Sequence, residues 1–260
     1  MNAQEMLVLY DLQERQNAEA SAGTERIVTA HTIRHVDWTG GRSFVLYSDL
    51  HRLDDKAIAT VIDQEIAYFT HLGYEFEWKV YQHDAPPDLK DRLIARGFSD
   101  EDWETLLIRD LVDAPDRLFD LRGHTVERLN DPAQVDDVMG VENAIWGPDD
   151  RELGNRLRRE LTESPHAISI YVARFAGVPV GAAWVTYTPQ SDCASLWGGS
   201  VLQSYRGQGI YGALLAARAR EAKTRGRRFL MIDAGPMSRP IVESLGFLSV
   251  SQSSPCTFSP

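Results

Sequence analysis

Apolar residues recur along this chain at two periods, and the two periods alternate. Residues 4–20 carry Leu7, Tyr10, Leu12 and Ala18 among Gln and Glu, which predicts a helix. Ile27–Val36 and Ser43–Tyr47 read as strands joined by the turn residues Thr39-Gly40-Gly41. From Asp54 the spacing changes: Ile58, Val61, Ile62, Ile66 and Phe69 return every three or four residues, the stripe of an amphipathic helix, with Gly73 placed to cap it. Phe76–Tyr81 is a predicted strand. Pro86 and Pro87 start a helix ending at Gly97-Phe98, and Glu104–Asp110 is one more strand.

Leu111 to Gly123, with Asp113, Pro115, Asp116 and Asp120, reads as a linker. Beyond it the spacing predicts a strand over Thr125–Leu129 and helices over Pro132–Ile145 and Arg151–Leu161. Ile168–Arg174 and Pro179–Thr188 form a hairpin about Ala176-Gly177. Ala194–Val201 is a strand, Ile210–Lys223 a helix, Phe229–Asp233 a strand, and Ser238–Leu245 a short helix ending at Gly246-Phe247. The two halves repeat one order: an amphipathic helix ending at glycine (Gly73, Gly226), an apolar strand, and a short helix ending in Gly-Phe. Residues 88–98 set beside 237–247 without a gap, so a duplicated domain is expected.

Charge sharpens this division. The 260 residues carry a net charge of −11. Residues 1–121 hold 24 acidic side chains against 12 basic ones, whereas 122–260 hold 14 against 15. An acidic half beside a near-neutral one suits a cationic substrate, or serves solubility alone, and disfavours nucleic acid. No run approaches the roughly 20 apolar residues of a membrane helix. Glu5, Asp11 and Glu14 in the first fifteen positions are unlike a signal peptide. Cys193 and Cys256 have neither metal-ligand nor disulfide spacing. A cytoplasmic location with no membrane partner is therefore expected. His31 and His35 would share a helix face, but their segment reads as strand, where four residues span roughly 13 Å. No metal site is expected.

The most specific stretch is Val201-Leu-Gln-Ser-Tyr-Arg-Gly-Gln-Gly-Ile-Tyr-Gly-Ala-Leu-Leu215. A strand ends, three glycines follow within six residues (Gly207, Gly209, Gly212), and a helix begins. The amides of such a turn, with the unpaired donors of the helix's first turn, make a concave anion site. Arg206 adds a charge-assisted donor. The dinucleotide spacing G-x-G-x-x-G also fits, with Asp233 about twenty residues on, but only 48 residues remain after Gly212, too few for the strand–helix units that fold needs.

Taken together, residues 122–260 resemble a GNAT-family N-acetyltransferase domain, and residues 1–121 resemble a degenerate second copy. The implied fold class is α/β (α+β), two domains that each have a mixed, mostly antiparallel central sheet flanked by helices. The family's Q/R-x-x-G-x-G/A loop, which wraps the coenzyme A pyrophosphate, falls on Arg206, Gly207, Gln208, Gly209, Ile210 and Tyr211, continuing to Gly212. Its last position is Gly or Ala in the family and Tyr211 here. The strand whose backbone pairs with pantetheine falls on Gly199, Ser200 and Val201, and Ser238 occupies a position where polar groups meet pantetheine. In the first copy, the matching turn Asp49–Lys56 has no glycine, and Asp54 and Asp55 would repel phosphate.

The resemblance implies an acetyl-CoA-dependent N-acetyltransferase acting on the primary amine of a small cationic molecule. An ammonium with a pKa near ~10.4 must lose its proton before it attacks a thioester. Asp233, at a strand end, and Glu142, near Trp146, are the candidate bases; strand-end and solvated-helix roles are their structural alternatives. The tyrosine that often protonates the thiolate in this family falls on Val242, so no acid is inherited. The cluster Arg218, Arg220, Lys223, Arg225, Arg227 and Arg228 reads as a solvated helix end. A non-catalytic coenzyme A-binding scaffold, another acyl donor, or a peptide amine as acceptor stays open, and the sequence sets no oligomeric state.

Overall fold

The computed structural model describes residues 1–39, 41–148 and 151–260. The turn expected at Thr39-Gly40-Gly41 includes Gly40, which lies outside the described residues. The chain forms two compact units, and neither is a single run of sequence. The first holds residues 2–106, 233–236 and 250–260; the second holds 107–232 and 237–249 with Met1.

The first unit opens with helix α1 (Ala3–Tyr10), which widens into a looser turn over Asp11–Gln16. Strands β1 (Thr24–Val28), β2 (Thr32–Asp37) and β3 (Ser43–Ser48) follow as an antiparallel meander. The single strand expected over Ile27–Val36 is thus two. The Thr29 hydroxyl breaks it by accepting the His31 and Thr32 amides at 3.2 and 2.8 Å, a local bond that competes with the ladder. Helix α2 (Asp55–Leu72) then crosses to β4 (Phe76–Tyr81), parallel to β3.

Its predicted stripe is the core: Ile58, Val61, Ile62 and Phe69 are buried, and Phe69 stacks on Phe76 at 4.2 Å. Gly73 ends α2 in the left-handed region, φ +70°, as its position predicts. A short α3 (Leu89–Ile94) leads to β5 (Glu104–Asp110). The strand that pairs antiparallel with β4 is the last of the chain, β11 (Leu248–Phe258), so the sheet order here is β1-β2-β3-β4-β11.

The second unit repeats this plan. β6 (Thr125–Arg128), β7 (Ile168–Phe175), β8 (Val178–Thr186) and β9 (Cys193–Val201) are antiparallel neighbours, and β10 (Phe229–Ala234) lies parallel to β9. Between β6 and β7 stand α4 (Val135–Trp146) and α5 (Arg151–Glu163); α6 (Ile210–Thr224) joins β9 to β10, and α7 (Arg239–Ser244) follows. Ala176 and Gly177 both have positive φ, the two-residue hairpin turn the sequence calls for. Next to β10 runs β5, the last strand of the N-terminal half. Each half of the sequence therefore supplies the closing strand of the other half's sheet. Each unit is a mixed, mostly antiparallel sheet flanked by helices, the expected fold class.

The repeat extends to single hydrogen bonds. Phe98 N donates to Leu93 O and Phe247 N to Val242 O, both at 3.3 Å, while Gly97 N and Gly246 N reach back three residues at 2.9 Å. Both glycines have positive φ, the left-handed stop that glycine reaches without a Cβ penalty. The segment expected as a linker is partly core: Leu111 and Leu118 are buried, and a single helical turn at Asp116–Phe119 packs on α6. No helix among the described residues is long and apolar enough to cross a membrane.

One buried group gives the first unit a pH dependence. The His35 ring is buried with Nε2 3.2 Å from Ala18 O, and burial pulls its imidazole down from 6.5 to about 4. A depressed folded pKa means that the unfolded chain binds the extra proton. The contribution is complete above pH 6.5 and drains away as pH falls toward 4, by up to about 3 kcal/mol. Chemical denaturation from pH 7 to 4 should show that slope, and the His35→Gln variant should flatten it.

Candidate functional site

The Gly-rich turn lies where β9 hands over to α6. Gly207 and Gly209 sit at φ +75° and +88°, and Gly209 caps the helix with no side chain on its amides. The first amide to bond back into α6 is Ala213 N, to Gly209 O at 3.0 Å. The amides just before it are thus the helix's orphan donors, carrying its positive end. In the first unit the matching helix start is already satisfied: Asp54 caps α2, its Oδ1 accepting Ala57 N at 2.8 Å. One copy holds its own carboxylate where the other leaves room for a foreign anion.

Arg206 Nε donates to Val201 O at 3.1 Å and so ties the turn together, leaving the rest of an exposed guanidinium free to face a ligand. Two residues that the sequence reading passed over complete the turn. The Arg122 guanidinium lies across it: a Cβ built on Gly212 would stand 3.1 Å from Arg122 Cζ, and one on Gly209 3.4 Å from Arg122 Cδ. His124 Nε2 donates to Gln208 O at 2.8 Å. Both lie at the edge of the presumed linker, where only a stray Arg-Gly-His signalled them.

Upstream, β9 is bulged. Ser200 faces Ala182 and Gly198 faces Ala183, which leaves Gly199 opposite nothing. Gly198 and Gly199 take φ +65° and +92°. Neither position has room for a side chain: a Cβ would meet Trp184 at 2.6 Å in the first case and the Tyr211 ring at 2.9 Å in the second. The bulge frees main-chain groups from the ladder in the middle of a sheet, where an unpaired group otherwise costs free energy.

Behind the bulge, on the α6 side, Arg218 is completely buried. Its Nε donates to Leu214 O at 3.1 Å, and one terminal nitrogen donates to the carbonyls of Trp184 and Trp197 at 3.3 and 3.0 Å. Arg218 is therefore not part of a solvated helix end. Burial draws its guanidinium down to about 10. Burial likewise raises the Tyr211 phenol, against the opposing pull of Arg218 and of Ser238 beside it. Tyr211, the residue that departs from the loop pattern, backs the bulge instead of interrupting the turn. The other arginines of the cluster are tied down, Arg225 on Glu221 at 2.6 Å and Arg228 on Asp110 at 2.8 Å.

On the other face α4 packs against β8 and β9. Val135, Val138, Met139 and Glu142 are buried along it, and Trp146 Nε1 donates to Ser200 Oγ at 3.3 Å. Glu142 is 6% exposed, so the solvated-helix alternative does not hold. It stands one turn before the indole that reaches the bulge. Ser200 and Val201 are both buried.

Asp233 belongs to the first unit and the turn to the second. Lys79 Nζ donates to its Oδ2 at 2.5 Å and Ser253 Oγ to its Oδ1 at 2.6 Å. Burial opposes charge on Lys79, but the Asp233 carboxylate more than offsets this and raises the amine above its usual range. Close by, Tyr10 and Tyr81 share a 2.5 Å hydroxyl contact, and burial raises both phenols. Val242 is fully buried, a packing residue of α7.

Residues 135–247 match the profile of the acetyltransferase (GNAT) family. No curated protein matches the chain in sequence. In three dimensions the whole chain is similar to a GCN5-related N-acetyltransferase from Kribbella flavida. The TM-score is 0.71 at 15% identity, over 100% of this chain and 97% of that one. A tandem GNAT protein from the clavulanic acid biosynthesis pathway aligns at TM-score 0.61 and 15% identity, over 92% of this chain and 84% of its own. A GCN5-related N-acetyltransferase from Sphaerobacter thermophilus aligns at 0.59 and 14%, over 89% and 81%. Residues 135–247 therefore form a domain of the acetyltransferase (GNAT) family, in a chain that shares its fold with a tandem GNAT protein.

Proposed function

We propose that the chain is an acetyl-CoA-dependent N-acetyltransferase that acetylates the primary amine of a small cationic molecule. The observation that carries this reading is the uncapped start of α6, with Gly207 and Gly209 in left-handed conformations and Arg122 and Arg206 beside them. A diphosphate is the ligand that turn fits: small enough for a glycine cradle, and doubly negative before two arginines. The first copy has filled its equivalent donors with Asp54 and is proposed to bind no cofactor. We assign residues 122–260 to the acyl-CoA domain and residues 1–121 to the degenerate copy, with their closing strands exchanged.

The thioester supplies an activated acetyl carbon. The amine nitrogen bonds to that carbon, the carbon–sulfur bond breaks, sulfur leaves with the electron pair, and the second nitrogen proton passes through water to the thiolate. Glu142, buried one turn before the Trp146 that reaches the bulge, takes the ammonium proton. Main-chain N–H groups at Gly199 to Val201, at the bulge, face the carbonyl oxygen as charge develops on it. Arg218, behind them, adds a fixed positive charge of the right sign. With valine at 242, the thiolate leaves without an acid from α7, tolerable for a group whose conjugate thiol has a pKa of about 8.5.

Thiol release from acetyl-CoA across a panel of primary amines tests the reading, with thermal protection by coenzyme A measured alongside. Protection together with amine-dependent release supports an enzyme. Protection without release from any amine points to the coenzyme A-binding scaffold, and absence of both overturns the assignment.

A further inference from the structure

The parallel strands of each unit part after three paired residues. β9 pairs with β10 from Cys193 with Phe229 to Ser195 with Met231, although β9 runs on to Val201. β3 pairs with β4 from Ser43 with Phe76 to Val45 with Trp78, although β3 runs on to Ser48 and β4 to Tyr81. Beyond its fork, β3 is bulged like β9. Tyr47 faces Ile33 and Val45 faces Arg34, which leaves Leu46 opposite nothing, as Gly199 is in the second unit. Main-chain groups at such a place must find partners outside the ladder.

In the first unit the partner is Arg15, which the loose turn after α1 delivers and which is 2% exposed. Its Nε donates to Leu46 O at 3.1 Å. One terminal nitrogen donates to both oxygens of Asp84 at 2.8 and 2.9 Å, and the other to Asp11 Oδ1 at 2.8 Å. The Tyr81 ring lies against the guanidinium at 4.1 Å, with Tyr47 at 5.3 Å. The surroundings are themselves fixed: Tyr81 N donates to Asp84 Oδ2 at 2.9 Å, and His83 Nε2 lies 2.9 Å from Asp11 Oδ2. Burial opposes the charge, but Asp84 and Asp11 more than offset it and raise the guanidinium above its usual range.

We infer that the bulge of the first unit is a binding site for an alkylguanidinium, and that the chain occupies it with its own Arg15. Every nitrogen of the group has an acceptor of its own, and a flat cation has an aromatic face to lie on. An ammonium is a compact, strongly hydrated point charge and matches neither feature. The internal ligand keeps free cations out of a unit whose sequence is strongly acidic. It does at the Leu46 bulge what Asp54 does at the start of α2: each copy-specific side chain fills a place that the second unit leaves open to a ligand. The inference is independent of the acyl-transfer reading.

The test is thermal melting of the full chain carrying Arg15→Ala, titrated with ethylguanidinium, the fragment that this substitution removes. The variant should melt below the parent, because Asp84 is left in a buried place without its cation. Ethylguanidinium at ten times its Kd should return about 3–5 °C. At the same concentration, butylammonium, which has the charge without the planar donors, should return less than about 1 °C, and so should N-ethylurea, which has the plane without the charge. The parent should not respond, and adding Asp84→Asn to Arg15→Ala should abolish the response. Should Arg15→Ala not fold, Arg15→Gln leaves the carboxylates equally bare and is titrated in its place. A variant as stable as the parent, an equal response to the three probes, or a response in the parent would overturn the inference. Thiol release and coenzyme A protection, which decide the acyl-transfer reading, do not enter this measurement.

Discussion

Replacing Gly209 by leucine is expected to abolish the thermal protection that acetyl-CoA gives this protein, and acyl transfer with it. Gly209 holds φ +88° at the first position before α6, and a Cβ there would stand 3.4 Å from both Arg122 Cδ and His124 Nε2. The left-handed backbone costs an L-residue about 1–2 kcal/mol. The fold can absorb that, but the turn cannot relax without turning its amides away from the anion. A ligand at a hundred times its Kd raises stability by about 2.7 kcal/mol, and that increment should vanish. Gly73→Leu is the matched control. It carries the same strain at φ +70° with open space around it, in the unit without the turn. Its melting temperature should fall similarly while acetyl-CoA protection survives. If Gly209→Leu keeps its protection, the diphosphate is not held by this turn.

The contrast between the two helix starts shows how far local pattern reaches. The stripe from Ile58 to Phe69 and the stop at Gly73 were legible because helix burial and capping depend on residues a few positions apart. The same holds for the glycine turn, whose conformational demand is written in its own composition. Exchange of the closing strands was not legible. β5 and β11 both follow a Gly-Phe stop, and nothing within either states which partner it will join. The surroundings of Asp233 are hidden for a related reason: a strand-end carboxylate reads as available until a lysine 154 positions away is found beside it. The basic neighbours of Arg218 suggest a solvated side chain. In fact the carbonyls of Trp184 and Trp197 accept its hydrogen bonds, and they meet it only when β8 and β9 are paired. The adjacent glycines at 198 and 199 did carry a signal, since an isolated glycine within a strand marks a bulge or a close approach.

The choice between the two candidate bases leads to the second large effect. A base must shed a proton in each cycle and take up another from the ammonium. Asp233 has both oxygens occupied, by Lys79 and Ser253, so protonating it breaks a half-buried ion pair. Glu142 stands on the element whose Trp146 reaches Ser200, in the same unit as the glycine turn. Glu142→Gln keeps the shape and a hydrogen-bonding head but cannot accept the proton. It should lower kcat by about 10²- to 10⁴-fold, the usual worth of a positioned base. Acetyl-CoA protection should stay within error of the parent, because the turn is untouched. Asp233→Asn should instead act on stability, by taking the carboxylate away from the half-buried Lys79. A Glu142→Gln enzyme whose kcat falls less than threefold would remove Glu142 from the chemistry. The proton would then leave through water, with the carboxylate serving only to hold the ammonium. That outcome would show as a raised KM at nearly constant kcat.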